Sequence, residues 1–170
     1  MNFILGGVTV HLVSATEYTE IYDRVDDGSI NHRTQNGNLK RVIHWRKTSI
    51  DISGGGHMPS GLSGLDYTLD LEFSAATTQS ITSSSNVIAI PAERRIDIGY
   101  EPCGFALFEN QAKPTPVNMA GDIATLTPVA NALDYMVKYY PKIIVAAEEP
   151  NDSNNRGTGN HRWSIAMEEV

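Results

Sequence analysis

The sequence predicts an all-β protein that forms a β-sandwich or barrel with long hairpins and extended loops. Apolar and polar residues alternate with a period of two in several short segments, the pattern of a strand with one buried face. Clusters of glycine, proline and serine interrupt these segments about every 8–12 residues, as in all-β sandwiches and barrels. Helical periodicity is scarce, with one short helix allowed at Pro91. The length of 170 residues fits one domain, so we expect a single β-sandwich domain over residues 1–170.

The central stretch of the predicted fold is residues 40–73. Residues 41–53 carry β-branched and aromatic side chains interleaved with charges, and residues 66–73 alternate strictly between apolar and polar positions. The glycines, serines and proline between them would not be tolerated by a helix. We therefore predict one long β-hairpin whose two strands are joined by a large ordered loop.

The segments before this hairpin are short and rich in turn residues. Glycines inside a strand suggest a bulge or a close backbone approach, and Asp-Gly and Asn-Gly pairs favour hairpin turns. In order, we read residues 3–13 as a strand interrupted at Gly6 and Gly7, residues 16–22 as a short strand or a turn of helix, and residues 23–39 as two small hairpins or a mobile arm, with turns at Asp27-Gly28 and Asn36-Gly37.

The segments after the hairpin alternate strands with loops. Residues 74–86 are a low-complexity run of serine, threonine and alanine, which predicts an exposed loop. Residues 131–147 are the strongest apolar block, and Pro141 makes its second half a bent or edge strand. Residues 148–161 predict a hydrophilic loop, in which residues 151–159 are expected to form a projecting finger. Further strands are predicted at residues 86–90, 104–109, 123–126 and 162–169.

Charge and composition exclude several classes of partner. The formal net charge of −7 argues against specific nucleic-acid binding, which needs clustered Lys and Arg. The densest basic cluster, residues 40–47, falls inside a predicted strand. Cys103 is the one cysteine, which excludes an intramolecular disulfide, and we expect it to be buried. No segment has the ~20 apolar residues that span a bilayer, and the N-terminus lacks the features of a signal peptide, so we expect no membrane partner and folding in the cytoplasm.

We predict no catalytic, metal-binding or cofactor-binding residues, and therefore a protein that is not an enzyme. The glycine-rich loop lacks the Gly-Lys-Ser/Thr of a phosphate cradle and the Gly-x-Ser-x-Gly of a nucleophile elbow. Asp23, Asp26 and Asp27 resemble a calcium loop only loosely, because the closing glutamate is missing. The adjacent glutamates Glu148-Glu149 and Glu168-Glu169 fit surface charge better than a glycosidase pair. The histidines do not occur in pairs at metal-ligand spacing: His11, His32, His44, His57 and His161.

Two stretches resemble structural proteins of long-tailed bacteriophages, among them tail-tube, distal-tail and baseplate subunits. They are HWRKTSIDISGGGHMPSGLSGLDYTLDL, and GFALFENQAKPTPVNMAGDIATLTPV with the later YMVKYYPKIIVAA. The resemblance implies a virion protein that assembles in the host cytoplasm into a ring of identical copies, beside other tail proteins. It also implies that DNA passes through an acidic lumen without specific binding, because like charges repel.

Aromatic and methionine side chains are enriched at protein interfaces, and they provide the candidates for the ring contact. The candidates are Trp45, Met58, Leu62, Leu65, Tyr67, Tyr139 and Trp163. Other functions stay open at this point: a head-tail connector or decoration protein of the virion, a carbohydrate-binding or adhesin-type β-sandwich, and a small β-barrel hydrolase.

Overall fold

The computed structural model describes residues 2–25 and 28–170, and it confirms the all-β prediction. Strands make up 54% of the chain. Helical structure in the described residues is confined to short 3-10 segments, which include Leu12–Ser14 and Leu62–Gly64. The predicted turn at Asp27-Gly28 and the loose calcium-loop pattern involve Asp26 and Asp27, which lie outside the described residues.

The described residues form seventeen strands, all paired antiparallel where a register is recorded. In chain order they are β1 Phe3–Leu5, β2 Val8–Val10, β3 Thr19–Arg24, β4 Ser29–Arg33, β5 Leu39–Ile43, β6 Thr48–Gly56, β7 Leu71–Ser74, β8 Gln79–Ser83, β9 Val87–Ala89, β10 Cys103–Leu107, β11 Ala112–Thr115, β12 Val117–Ala120, β13 Ile123–Leu126, β14 Asp134–Tyr139, β15 Lys142–Ala147, β16 Asn151–Asn155 and β17 Asn160–Glu169.

The chain forms two compact units. Unit 1 consists of Met1–Glu72 and Ile144–Val170, and unit 2 consists of Phe73–Ile143. The chain leaves unit 1 within β7 and returns to it within β15, and these two strands are neighbours in one sheet. The sequence predicted a single β-sandwich domain, and that remains a prediction.

Unit 1 is organised by a sheet of strand order β2-β1-β7-β15-β17-β6-β3, with β16 on the edge of β17. Its longest ladder joins β6 to β17, from His161 opposite Gly56 to Glu168 opposite Ser49. Alternation along β17 buries Trp163, Ile165 and Met167, as the sequence predicted. Burying these apolar side chains together with those of β1 and β6 is the main driving force for this unit.

Neighbouring aromatic and backbone groups pack closely against the three glycines at the end of β6 and leave little room for a side chain. A Cβ on Gly54 would lie 2.4 Å from Cζ2 of Trp163, and one on Gly56 would lie 2.1 Å from the carbonyl oxygen of Val13. The indole Nε1 of Trp163 donates a hydrogen bond of 2.7 Å to the carbonyl oxygen of Ser14. The rings of Phe3 and Tyr18 pack beside the indole, with centroids 5.5 and 6.5 Å away.

Strands β4 and β5 form a separate two-stranded hairpin in unit 1, with register from Ser29 opposite Ile43 to Arg33 opposite Leu39. Its turn includes Gly37, whose φ of +78° suits glycine. At its base the amide of His44 donates to the carbonyl oxygen of Gly28. A Cβ on Gly28 would lie 2.7 Å from Cδ2 of Trp45, so the indole covers this glycine. The sequence allowed two small hairpins or a mobile arm over residues 23–39; the structure has one hairpin, whose second strand extends to Ile43.

Unit 2 contains a four-stranded sheet, β11-β10-β14-β8, and a three-stranded sheet, β12-β13-β9. The two sheets contribute to one apolar cluster. The first sheet provides Tyr135, Val137 and Tyr139, and the second provides Ala124 and Leu126. The two sheets therefore share a core in the manner of a small sandwich. Predicted strands at residues 86–90, 104–109 and 123–126 correspond to β9, β10 and β13.

A buried arginine holds the irregular segment between β9 and β10. The Arg95 side chain is 3% exposed, pairs with Asp97 at 2.7 Å and donates to the carbonyl oxygen of Ala75 at 2.7 Å. Its guanidinium carbon lies 3.3 Å from the centroid of the Tyr100 ring, a cation–π contact. The segment is thus ordered without being the short helix or the strand that the sequence allowed here.

Several strand predictions are wrong in their pairing or extent. The predicted long hairpin does not form: its first arm is divided between β5 and β6, β6 pairs with β3 and β17, and β7 pairs with other strands. Gly6 and Gly7 form a turn between β1 and β2 rather than a bulge. The run at residues 74–86 contains β8, which pairs with β14. Strand β15 lies inside its sheet, so Pro141 does not mark an edge.

Candidate contact surfaces

Three of the seven candidate contact residues are buried within their own unit. Leu62 is fully buried, Tyr139 is 6% exposed and Trp163 is 2% exposed. The Tyr139 hydroxyl donates to Oε1 of Gln79, and burial raises the pKa of this phenol. These side chains have almost no accessible surface, so they contribute to the core of their unit. An aromatic residue in an alternating strand can face either the core or an interface. The sequence pattern therefore did not distinguish core positions from interface positions.

The other four candidates are accessible to different degrees. Met58 is 55% exposed and Trp45 is 42% exposed. Leu65 and Tyr67 are partly buried within the 57–70 loop: Leu65 covers Gly6, and the Tyr67 hydroxyl donates to the carbonyl oxygen of Leu62 at 2.9 Å. Leu65 and Tyr67 therefore shape the loop, and Trp45 and Met58 are the candidates with a large accessible surface.

The most unusual surface is the arm, which we define as residues 29–47, comprising β4, β5 and the segment that leads to β6. Every residue from 31 to 41 is exposed. The arm carries Arg33, Lys40, Arg41, Arg46 and Lys47 and no Asp or Glu. The remaining eight Lys and Arg residues are outnumbered by 20 Asp and Glu residues, so the chain outside the arm has a formal net charge of −12.

The arm also displays large apolar side chains on its surface. The most exposed of them are Leu39 at 63% and Ile30 at 57%, and Ile43 is 38% exposed. The sequence predicted that the basic cluster of residues 40–47 lies inside a strand of the central hairpin; it lies instead on this exposed arm. Charge and apolar surface are therefore presented together on one projecting element.

A second surface lies on the solvent side of the unit 1 sheet, where carboxylates alternate with small or apolar side chains. One row across the sheet is Asp23, Ser49, Glu168 and Ala146, each residue paired with the next. The neighbouring row is Ile21, Asp51, Ala166 and Glu148; its last link is the hydrogen bond from the Glu148 amide to the Ala166 carbonyl oxygen. We call these eight residues the acidic face.

The side chains of the acidic face are accessible. All four of its carboxylate residues are exposed, and Ile21 is 49% exposed. A shallow cavity of about 350 Å³ runs along β15 and β17 beside Glu148 and Glu168. The opposite side of these strands is the buried core, so period-two alternation alone determines which residues belong to the face. Sequence reasoning missed it because seven of its residues come from four strands, β3, β6, β15 and β17, and the eighth, Glu148, directly follows β15. These segments are brought together only by strand pairing.

A polar cleft in unit 1 brings together two of the isolated histidines. A cavity of about 140 Å³ is lined by His57, His161, Glu17 and Arg162, among others, and Arg162 lies 3.9 Å from Glu17 in an exposed ion pair. Within residues 2–25 and 28–170, no group of three or more His, Cys, Asp or Glu residues could hold a metal ion. The cleft offers polar contacts but no arrangement of nucleophile and base that would define a reaction.

The predicted hydrophilic finger is a β-hairpin formed by β16 and β17, with all residues of β16 exposed. A wide, shallow cavity of about 710 Å³ along it is lined by polar side chains such as Asn154, Arg156 and Asn160, and its lining contains no aromatic ring. Sugar-binding grooves usually rely on aromatic faces together with polar groups. The finger therefore gives little support to a carbohydrate-binding function.

Two exposed isoleucines in unit 2 were not identified from the sequence. Ile98 is 96% exposed and Ile96 is 76% exposed, on the segment that Arg95 holds in place. Each falls next to a charged residue in the pattern Arg-Ile-Asp-Ile, which reads as an ordinary alternating strand. An ordered segment that displays apolar side chains is typical of a contact surface.

The described part of the chain contains no helix long and apolar enough to cross a membrane. No protein-family model, no curated protein and no solved structure matches this chain.

Proposed function

We propose that this protein is a structural subunit of a bacteriophage virion, a tail or tail-tip component of the distal-tail or baseplate kind. It acts by assembling with copies of itself into a ring, and with other tail proteins above and below that ring. It has no catalytic role and needs no cofactor. The resemblance of its sequence to long-tailed phage proteins motivates the virion assignment, and the physical properties of its surface motivate self-assembly.

The arm is the observation that carries this proposal. An isolated two-stranded hairpin is only marginally stable in water, because it lacks a third strand or a packed face. The arm nevertheless exposes apolar side chains on both faces of a regular strand pair, with Leu39 and Ile43 on one face and Ile30 on the other. A two-stranded hairpin with both faces exposed has no core of its own in which to bury them. A neighbouring subunit that covers the arm would supply the missing packed face and bury the exposed apolar side chains. It would also explain why the strand pair keeps a regular register.

The test begins with the full chain in solution, by light scattering and negative-stain electron microscopy of one sample. We expect rings or short stacks of rings. Residues 29–43 are then replaced by Asn-Gly, which can close a two-residue hairpin turn between the hydrogen-bonded positions Gly28 and His44. This variant should keep the far-ultraviolet circular dichroism and melting temperature of the core and lose the rings.

The virion assignment has its own measurement. Antibodies against the protein should label the tails of phage particles produced by cells that carry its gene, and the protein should sediment with those particles. A chain that stays monomeric at all concentrations, and that is absent from purified particles, would contradict the proposal and would instead favour a monomeric binding module.

A further inference from the structure

We propose that the arm of one copy lies on the acidic face of a second copy, so that the two surfaces form a head-to-tail contact. This inference rests on the proposed function, since it names the surfaces through which the ring closes. It concerns a contact between two copies, because both surfaces are exposed within a single chain.

The first argument is charge. The arm concentrates five positive charges without an acidic residue, whereas the chain outside it has a formal net charge of −12. Four carboxylates of that excess are gathered on the acidic face: Asp23, Asp51, Glu148 and Glu168. Opposite potentials on two surfaces attract and orient the partners before contact, and they exclude the arrangements that bring like charges together.

The second argument is spacing. On the arm, Arg33 pairs with Leu39, and Arg41 follows Leu39 by two residues, so the two arginines are diagonal neighbours on one side of the hairpin. On the acidic face, Asp51 pairs with Ala166, and Glu168 follows Ala166 by two residues. Diagonal neighbours in antiparallel strands lie about 7–8 Å apart. The positive and negative pairs therefore have the same separation.

The third argument is the apolar surface between the charges. Leu39 is the partner of Arg33 and lies two residues before Arg41. Ala166 has the same position relative to Asp51 and Glu168. When the charged pairs meet, a large apolar side chain would therefore meet a small one. Ile43 on the same side of the arm and Ile21 on the face add further apolar surface. Exposed aliphatic side chains would gain nothing against the phosphates of a nucleic acid, which bind through Lys, Arg and stacked aromatic rings. A protein surface is therefore the better partner for the arm.

A contact between two different surfaces of the same protein is heterologous. Each copy presents an arm to one neighbour and an acidic face to the other, and such contacts close into a ring when the rotation between copies allows it. The arm then gains the covering layer that a two-stranded hairpin lacks.

The experiment exchanges the charges. The arm variant carries Arg33→Glu and Arg41→Glu, and the face variant carries Asp51→Lys and Glu168→Lys. Each variant alone brings like charges together, and we expect its self-association, measured by sedimentation velocity at low salt, to weaken ~100-fold or more. In a 1:1 mixture every contact pairs opposite charges again, so association should return to near the wild-type level. Raised salt should weaken the wild-type association, because it screens these charges.

Matched controls use exposed residues outside both surfaces. Lys113→Glu with Arg156→Glu makes the same change in net charge as the arm variant, and Glu109→Lys with Asp70→Lys matches the face variant. Both controls should associate like the wild type. Recovery in the mixture also excludes misfolding as the reason for the losses, because an unfolded arm would not regain its contact.

The outcomes separate this inference from the proposed function. If the wild type forms rings and the arm and face variants form them equally well, the arm-to-face contact is wrong and ring assembly stands. If the wild type does not self-associate at any concentration, the arm-to-face contact is wrong, and the labelling of phage particles then decides whether the virion assignment stands. If a 30-base-pair DNA duplex binds the wild type but not the arm variant, while self-association is the same for both, the arm binds nucleic acid and the inference is overturned.

Discussion

The indole of Trp163 lies directly against the backbone of Gly54 on the neighbouring strand, with room for a hydrogen atom but not for a methyl group. A Cβ built on Gly54 would be 2.4 Å from Cζ2 of Trp163 and 2.8 Å from Cε2. The two residues are direct partners in the β6–β17 ladder. This contact explains why a glycine occurs within a strand, where it would otherwise cost stability.

The Gly54→Ala substitution tests this contact. Because the indole is held by its own hydrogen bond to Ser14, it cannot move away without breaking that bond. We expect a loss of about 1–3 kcal/mol in the free energy of unfolding, typical of overpacking, measured by urea denaturation. Gly64→Ala is the matched control, since nothing lies within 4 Å of a Cβ there, and it should change stability by less than about 0.5 kcal/mol. Equal effects of the two substitutions would contradict the packing described here.

Replacing Trp163 itself should be more damaging. Trp163→Ala removes a side chain that is 2% exposed and leaves a cavity beside Phe3 and Gly54, at an expected cost of about 3–5 kcal/mol. Trp163→Phe keeps part of the packing but leaves the Ser14 carbonyl oxygen without its indole donor, so we expect an intermediate loss. Thermal melts of the three proteins provide the comparison, and an unchanged melting temperature in Trp163→Ala would place this side chain on the surface.

Stability at high pH should depend on Tyr18. Burial, followed by the charge of Glu20, raises the pKa of Tyr18 far above its ordinary value, and the hydroxyl donates to Oε2 of Glu20 at 2.5 Å. Above about pH 10 the unfolded chain releases this proton while the folded chain retains it, so the free energy of unfolding decreases as pH rises. The stabilising contribution of the protonated Tyr18 hydroxyl is fully present below that pH.

The corresponding experiment compares urea denaturation of the wild type and Tyr18→Phe between pH 8 and pH 11. The slope of stability against pH should be less steep in the variant, by up to about 1.4 kcal/mol per pH unit above pH 10. Parallel curves for the two proteins would show that Tyr18 ionises as readily in the folded state as in the unfolded one.

Cys103 should react with thiol reagents in the folded protein. The sequence predicted a buried cysteine, because free cysteines are among the most buried residues, but the structure places its thiol at the surface of β10. A chromogenic disulfide reagent should modify one thiol per chain without denaturant, because Cys103 is exposed. Reaction only after addition of urea would show that the thiol is buried. Cys103→Ser provides the blank.

Period-two alternation predicted the strands that carry the cores of both units. Val137 and Tyr139 in β14, and Trp163 and Ile165 in β17, are buried on the expected sides, because a strand with one buried face must alternate. The pairing of strands was not predictable in the same way. Strand β6 pairs with β17, whose first residue, Asn160, is more than a hundred residues from the end of β6, and no local pattern records a partner at that distance.

The same limitation applies to the contact surfaces. Trp45 and Met58 could be proposed from residue type alone, and both are exposed. The acidic face requires four strands in register, so Asp51 and Glu168 become neighbours only once β6 and β17 are paired. The basic cluster of residues 40–47 was visible in the sequence, but it was assigned to the first strand of the central hairpin because the glycines after it suggested one continuous hairpin.

The interruption of unit 1 by unit 2 determines the order in which the chain can fold as it leaves the ribosome. Unit 2 is continuous from Phe73 to Ile143, so all its residues are synthesised before β17. The central sheet of unit 1 needs β17, which ends at Glu169, and chain synthesis proceeds at only about 5–20 residues per second. Strand β6 is therefore without its β17 partner until residues 160–169 have emerged. Contacts between strands so distant in sequence form slowly, so one edge of β6 stays unpaired during that interval.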